Sequence, residues 1–300
     1  MAPHTHTHDE VDWAARLDAF RRRDTIEAEA QRGVAERVLS TAPARATVVD
    51  VGSGAGGMSA KFAAAMRACG GGTLVLVDAV PELLEAATGH VHAELGEGGG
   101  NVDVRAVLAD AADDALLERV PGADVVWASR VVHHVGDQQG VIRRLAGLLV
   151  EGGWLALAEG GLGTQCLPWD LGVARPGLAD RLMAARAEWF VEMRASIEDS
   201  VRLPVGWPRA LRDAGLREVT SFSYLVDHPA PVSGLVRDAV LEWLEFLADV
   251  GADRLDRDDR DALGRLLDPN DPAYVGARDD VFYLVCDTVH IGRKVAGATG

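Results

Sequence analysis

Apolar positions recur along the chain in two rhythms. Over residues 11–39, Trp13, Leu17, Phe20, Ile26, Val34 and Val38 return at spacings near three and four, which predicts amphipathic helices. Ala42-Pro43-Ala44 interrupts that pattern. From there to about residue 161, short apolar runs alternate with helical ones. The runs are Val48-Val49-Asp50-Val51, Thr73-Leu74-Val75-Leu76-Val77-Asp78, Val102 to Asp110, Asp124-Val125-Val126-Trp127-Ala128-Ser129-Arg130, and Trp154-Leu155-Ala156-Leu157-Ala158-Glu159. Strands alternating with helices predict a mostly parallel sheet covered on both faces. Asp137 is expected to cap a helix running to about Val150, and Asp113-Asp114 to open another.

Beyond Gly161 the pattern predicts two more strands, over residues 217–226 and 280–289, and two helical insertions. The first carries Trp169, Trp189 and a helical run from Leu178; the second sets Val236, Val240, Trp243, Leu244 and Leu247 on one helical face. The expected organisation is a tail (1–10), an N-terminal helical cap (11–45), a core (46–161), a lid insertion (162–203), a helix with the sixth strand (204–228), a second helical insertion (229–279), and the seventh strand with the C-terminus (280–300). Both insertions leave the sheet near the edge where an open parallel sheet binds ligands, so together they are expected to form a lid. Residues 256–261, a charge run, are expected to be a solvated helix start.

Composition narrows the function. The 300 residues are 48% hydrophobic and 25% charged, the values of an ordinary globular chain. No apolar stretch reaches 18 residues, so no membrane span is expected, and the polar start of the chain has no signal-peptide core. Cys69, Cys166 and Cys286 are few and far apart, which fits reduced thiols in a cytoplasmic protein. The formal charge of −16 would repel a polyanion, so a small-molecule substrate is expected and a nucleic acid is not. Arg21-Arg22-Arg23 fits a solvated helix face; His4, His6 and His8 lie in the tail, and no metal centre is expected.

The first strand runs into Gly52-Ser53-Gly54-Ala55-Gly56-Gly57, and a helix pattern follows. Such glycines permit tight turns and close ligand approach, and the helix start offers unpaired N–H groups. Two readings fit. Gly52, Gly54 and Gly57 satisfy the dinucleotide fingerprint, with Asp78 about twenty residues on. Asp50, Gly52, Gly54 and Gly56 instead make D-x-G-x-G-x-G. There Asp50 would repel a pyrophosphate and favour a ligand bearing an ammonium group. This motif resembles that of class I S-adenosylmethionine-dependent methyltransferases. Acids ending the second and third strands and the turn Glu151-Gly152-Gly153, where the family often has Pro-Gly-Gly, extend the resemblance over residues 46–161.

The resemblance implies a Rossmann-like α/β fold of seven strands, mostly parallel with the last antiparallel, under a helical lid. It implies S-adenosylmethionine as cofactor and S-adenosylhomocysteine as product. Asp50, Gly52, Ser53, Gly54 and Gly56 would hold the methionine part, Asp78 with Ala79 the ribose, and Asp110 with Ala111 the adenine; Ser129 and Arg130 would border the sulfonium. His133 and His134 are candidate bases, at most one facing the substrate, and Arg130 would anchor either a substrate carboxylate or a neighbouring acid. Trp13, Trp169 and Trp189 are candidate acceptor contacts, with core packing as the alternative for each. The reaction would be S_N2 transfer to a small, partly apolar acceptor such as a specialised metabolite. A nicotinamide oxidoreductase, or a cofactor-binding cyclase or binding protein of the same fold, remains open. So does a homodimer formed through an apolar helix of either insertion.

Overall fold

The first four strands are β1 (Thr47–Val51), β2 (Gly72–Asp78), β3 (Val102–Leu108) and β4 (Ala123–Ser129); β5 (Leu149–Gln165), β6 (Arg217–His228) and β7 (Tyr283–Arg293) follow. They form one sheet in the order β3-β2-β1-β4-β5-β7-β6. The structure is a computed structural model that describes residues 16–96, 100–173 and 175–296. Strand β1 pairs in parallel with β2 and β4, β2 with β3, and β4 with β5. Strand β7 runs the other way: Ser221 meets His290 at 2.8 Å and Ser223 meets Thr288 at 2.9 Å, so the register along β6 rises as that along β7 falls. The seven-stranded sheet with an antiparallel last strand is the fold expected from sequence.

The strand runs read as continuously apolar because both faces are buried. Val49, Val51, Val75, Val77, Val126 and Leu155 face one cluster, completed by Val141, Ile142 and Leu145 of α6 (Gln138–Gly147) and Leu211 of α8 (Trp207–Asp213). The alternate residues Val48, Leu74, Leu76, Val125 and Trp127 face the other. There they meet Val34 and Val38 of α2 (Ala28–Leu39), Phe62 and Met66 of α3 (Gly57–Ala68), and Leu84 and Val91 of α4 (Pro81–Leu95). Phe62 sits edge-on to Trp127, with ring centroids 5.7 Å apart. Asp137 caps α6 through the Gly140 N–H at 2.8 Å. A helix α1 (Leu17–Ile26) precedes α2, and a short α5 (Leu116–Arg119) follows Asp113-Asp114.

Contacts divide the chain into two units. The first contains Met1–Gly160, Ile197–Tyr224 and Asp287–Gly300; the second contains Gly161–Ser196 and Leu225–Cys286. Three of the four divisions fall inside β5, β6 and β7. The second unit is built on α7 (Leu178–Ser196), α9 (Gly234–Gly251) and α10 (Arg257–Leu267). Leu182, Val240, Leu244, Leu247 and Leu263 are buried in it. Trp189 packs edge-on to Phe246 at 5.5 Å, and Phe246 stacks on Trp243 at 5.4 Å.

One surface expectation is corrected. Asp256 does cap α10, accepting the Asp259 N–H at 2.9 Å, but Asp259 is only 2% exposed. Its carboxylate takes both arms of Arg181, at 2.6 and 2.8 Å. A residue one turn into a helix faces its neighbours as readily as solvent, and here a guanidinium from α7 fills that side. Among the described residues, no helix is long and apolar enough to cross a membrane.

Candidate active site

The strand order reverses between β1 and β4, the place where an open α/β sheet forms a crevice at its carboxyl edge. The loops leaving those two strands touch: a Cβ on Gly52 would lie 2.2 Å from Val131 Cγ2. Gly52, Gly54 and Gly56 all have positive φ, at 72°, 55° and 86°. Gly52 and Ser53 donate their N–H groups to the Val77 carbonyl at 2.8 and 3.0 Å, tying the loop to β2. A Cβ added at Gly54 would meet nothing within 4 Å, so the loop leaves open space there. The buried Ser53 hydroxyl has no hydrogen-bond partner. A loop with room at one glycine and an unused buried hydroxyl beside it fits a ligand laid along its backbone.

Three carboxylates converge on this loop. Asp78 accepts the Gly54 N–H at 2.9 Å and the Val80 N–H at 3.0 Å. Asp50 is 2% exposed and accepts the Ser59 hydroxyl of α3. Burial pushes the Asp50 carboxyl up to about 7; the Ser59 hydroxyl opposes the shift, while Asp78 and Asp24 add repulsion. The third carboxylate, Asp24, arrives from α1, accepting the Gly57 N–H at 3.1 Å. Burial raises its carboxyl too, against the attraction of Arg23. Asp24 also fills the space that a Cβ on Gly57 would need, with its Cγ 2.2 Å from that point. The start of α3 is therefore already occupied by a protein carboxylate, where the dinucleotide reading requires a pyrophosphate.

At the end of β3, Asp110 accepts the Ala112 N–H at 2.7 Å, and the Ala109 N–H bonds the Asp78 carbonyl at 2.9 Å. Asp78 and Asp110 are thus held on adjoining turns. Ala79 is exposed beside Asp78, Ala111 is buried beside Asp110, and Ser129 ends β4 half-buried.

His133 and His134 lie in a 3₁₀ turn, Val132–His134, after β4. Their rings are 4.1 Å apart between centroids, so the two are close neighbours rather than opposed as on a strand. Glu159, buried at the end of the β5 apolar run, holds the turn: it accepts the Val132 N–H at 2.7 Å and His133 Nδ1 at 2.7 Å. A carboxylate can only accept in that bond, so Nδ1 is the donor.

Arg130 is engaged by the protein itself. Its backbone is left-handed, φ 56°, and its N–H bonds the Ala158 carbonyl at 3.0 Å. Its guanidinium reaches Glu27 at 3.3 Å and pairs with Asp287, which also accepts the Tyr224 hydroxyl at 3.2 Å. Burial works against ionising Glu27, yet Arg130 and Arg23 hold its carboxyl below the usual value. Of the two readings of Arg130 from sequence, the geometry matches the neighbouring acid.

The tryptophans separate. Trp169 is 71% exposed in the second unit, Trp189 is half-buried in the α7–α9 aromatic cluster, and Trp13 lies outside the described residues, as do His4, His6 and His8. Sequence reasoning passed over Asp24, Glu27, Glu159, Tyr224 and Asp287. Glu159 carried a usable signal, since it ends an apolar strand as Asp50 and Asp78 nearly do.

Comparison with known proteins agrees with this geometry. A family model described as a methyltransferase domain matches residues 49–155. Over 116 residues the chain is 34% identical to a ubiquinone biosynthesis O-methyltransferase of Xanthomonas axonopodis pv. citri (strain 306), a match covering 39% of this chain. The chain spans 44% of the length of that relative. Among solved structures, a chain from the complex of the Haloferax volcanii Trm112 methyltransferase activator with a methyltransferase is similar in fold. It has a TM-score of 0.51 at 17% identity, with 95% of this chain and 98% of that chain covered. A SAM-dependent methyltransferase from Thiobacillus denitrificans, solved with S-adenosyl-L-homocysteine, has a TM-score of 0.42 at 18% identity, covering 86% and 90% of the two chains. The D-x-G-x-G-x-G loop at the crevice of the seven-stranded sheet lies within the stretch, residues 49–155, that is similar to the methyltransferase domain.

Proposed function

We propose that the protein transfers a methyl group from S-adenosylmethionine to a small, partly apolar acceptor, with a hydroxyl as the accepting group. The carrying observation is the occupied helix start: Asp24 takes the Gly57 N–H, and Asp50 and Asp78 stand beside the same loop. Three carboxylates favour a ligand with an ammonium and a sulfonium, and disfavour a pyrophosphate. Bound S-adenosylmethionine supplies the electrophilic carbon together with its own leaving group, so the protein's task is positioning, exclusion of water and proton removal. Asp78 and Asp110 are assigned to the ribose and adenine, and the loop at Gly54 to the methionine part. His133, with Nδ1 held by Glu159, is assigned as the base that takes the acceptor proton at Nε2. The similarity to an O-methyltransferase supports an oxygen acceptor, and the charge of −16 supports a small molecule over a nucleic acid.

Two results follow for the cofactor site. Asp78→Ala should weaken S-adenosylhomocysteine binding by about 1.5–3 kcal/mol, the scale of a lost charged hydrogen bond, or about 10- to 150-fold. Unchanged affinity in a folded variant would remove Asp78 from the site. Asp50 should link binding to pH. Its folded-state value near 7 means that it is protonated below neutrality and must ionise to meet an ammonium. Affinity should therefore rise with pH up to about neutrality and level off above it, and Asp50→Asn should flatten the rise. A flat profile between pH 6 and 8 in the parent protein would contradict the pairing.

Methyl-labelled S-adenosylmethionine, incubated with catechols, phenols, hydroxyindoles and, separately, RNA, tests the reaction. Label in a small hydroxylated acceptor with one S-adenosylhomocysteine per methyl supports the proposal; label in RNA alone would overturn it.

A further inference from the structure

Among the described residues, the second unit carries a cation, Arg186, with no carboxylate counter-ion. Arg186 lies on α7, a turn beyond Leu182 and Met183, with its side chain half-buried. Its Nε is buried and has no hydrogen-bond partner. Elsewhere in this unit Arg181 meets Asp259 and Arg254 meets Glu192. Arg186 instead lies over the indole face of Trp243, its guanidinium carbon 5.6 Å from the ring centroid. Burial lowers its pKa, and no carboxylate offsets that burial. In a chain with 46 acidic and 30 basic residues, acids are abundant, yet among the described residues none forms an ion pair with this one.

Leaving a guanidinium partly desolvated and unpaired costs stability, and a cation–π contact returns only part of it. The arrangement becomes favourable when an anion arrives from outside. The surroundings indicate what carries that anion. Trp243 also lines a cavity of about 10 Å³, with Thr164, Cys166, Leu182, Met183 and Leu247, so packing on this indole is incomplete and its surroundings are mostly apolar. A planar guanidinium presents a fork that matches a carboxylate.

We propose that the second unit binds a small aromatic or aliphatic carboxylate, its anionic end on Arg186 and its apolar body against Trp243 and the α7–α9 side chains. This site goes beyond the methyl-transfer reading and does not depend on it.

The test uses the full chain, with 4-phenylbutyrate and its neutral amide as probes, followed by ligand-observed NMR and calorimetry. The acid should bind at least about tenfold more tightly than the amide. Arg186→Gln should remove that preference, and Arg186→Lys should keep part of it. Thermal melts of Arg186→Gln should match or exceed those of the parent, because an uncompensated cation has been removed. Equal binding of acid and amide, absence of binding by either, or persistence of the preference in Arg186→Gln would overturn the proposal. So would a marked fall in melting temperature with Arg186→Gln, which would mean that the guanidinium is kept for packing on Trp243.

Discussion

Gly56→Ala should destabilise the protein by about 2–5 kcal/mol, from a left-handed backbone cost of about 1–2 and an overpacking cost of about 1–3. The residue has φ +86°, and an added Cβ would lie 2.6 Å from Ala87 Cα and 2.9 Å from the Ala87 carbonyl oxygen. Both are backbone atoms of α4, which no rotamer change can move. The strain would separate the glycine loop from α4 and disturb the cofactor cradle with it. Gly54→Ala is the informative comparison. It has φ +55° but nothing within 4 Å of the new Cβ, so only the backbone cost of about 1–2 kcal/mol applies to stability. Its larger effect should be on cofactor affinity, because the methyl group enters space assigned to the ligand. Denaturant midpoints and cofactor titrations of both variants separate the two roles. Equal stability of Gly56→Ala and the parent would show that the loop and α4 are not in close contact.

His133→Ala should lower the turnover number about 10²- to 10⁴-fold, the range for removal of a general base, while cofactor affinity stays within about twofold. Glu159 accepts from His133 Nδ1 at 2.7 Å, which orients the ring and would stabilise the imidazolium formed when it takes a proton. Glu159→Gln should act through the histidine. Its amide cannot stabilise the imidazolium that forms as the proton is taken, so the turnover number should fall while cofactor affinity is kept. A merely structural glutamate would lower cofactor affinity along with turnover. Glu159 also accepts the Val132 N–H at 2.7 Å, so the variant's melting temperature must be measured alongside. Full activity in a folded His133→Ala would give the proton to another group or to water.

The sheet was legible in the sequence because its strands are buried on both faces and show as unbroken apolar runs. The glycine loop was legible for a local reason: positive φ at Gly52, Gly54 and Gly56 leaves few alternatives to glycine. The acids of the N-terminal helices were hidden. Asp24 and Glu27 sit in a polar stretch that fits a solvated helix face, and only tertiary packing shows that one caps α3 and the other meets Arg130. The same holds for Asp259, counted in a charge run yet buried on Arg181. Asp287 and Tyr224 depend on β7 lying beside β6, an antiparallel neighbour relation that the family resemblance implied, though periodicity did not show which side chains would meet. The tryptophans could not be sorted by type alone: Trp127 is core, Trp189 belongs to an aromatic cluster, and Trp169 is exposed.

The most direct test of the account is calorimetric titration of the purified protein with S-adenosylmethionine, S-adenosylhomocysteine and NADPH in parallel at pH 8, where Asp50 is ionised. Micromolar binding of the first two, about −8 kcal/mol, with no heat from NADPH, is the predicted result. Binding of NADPH alone would mean that the carboxylates around the glycine loop accommodate a pyrophosphate, and the methyltransferase account would fall.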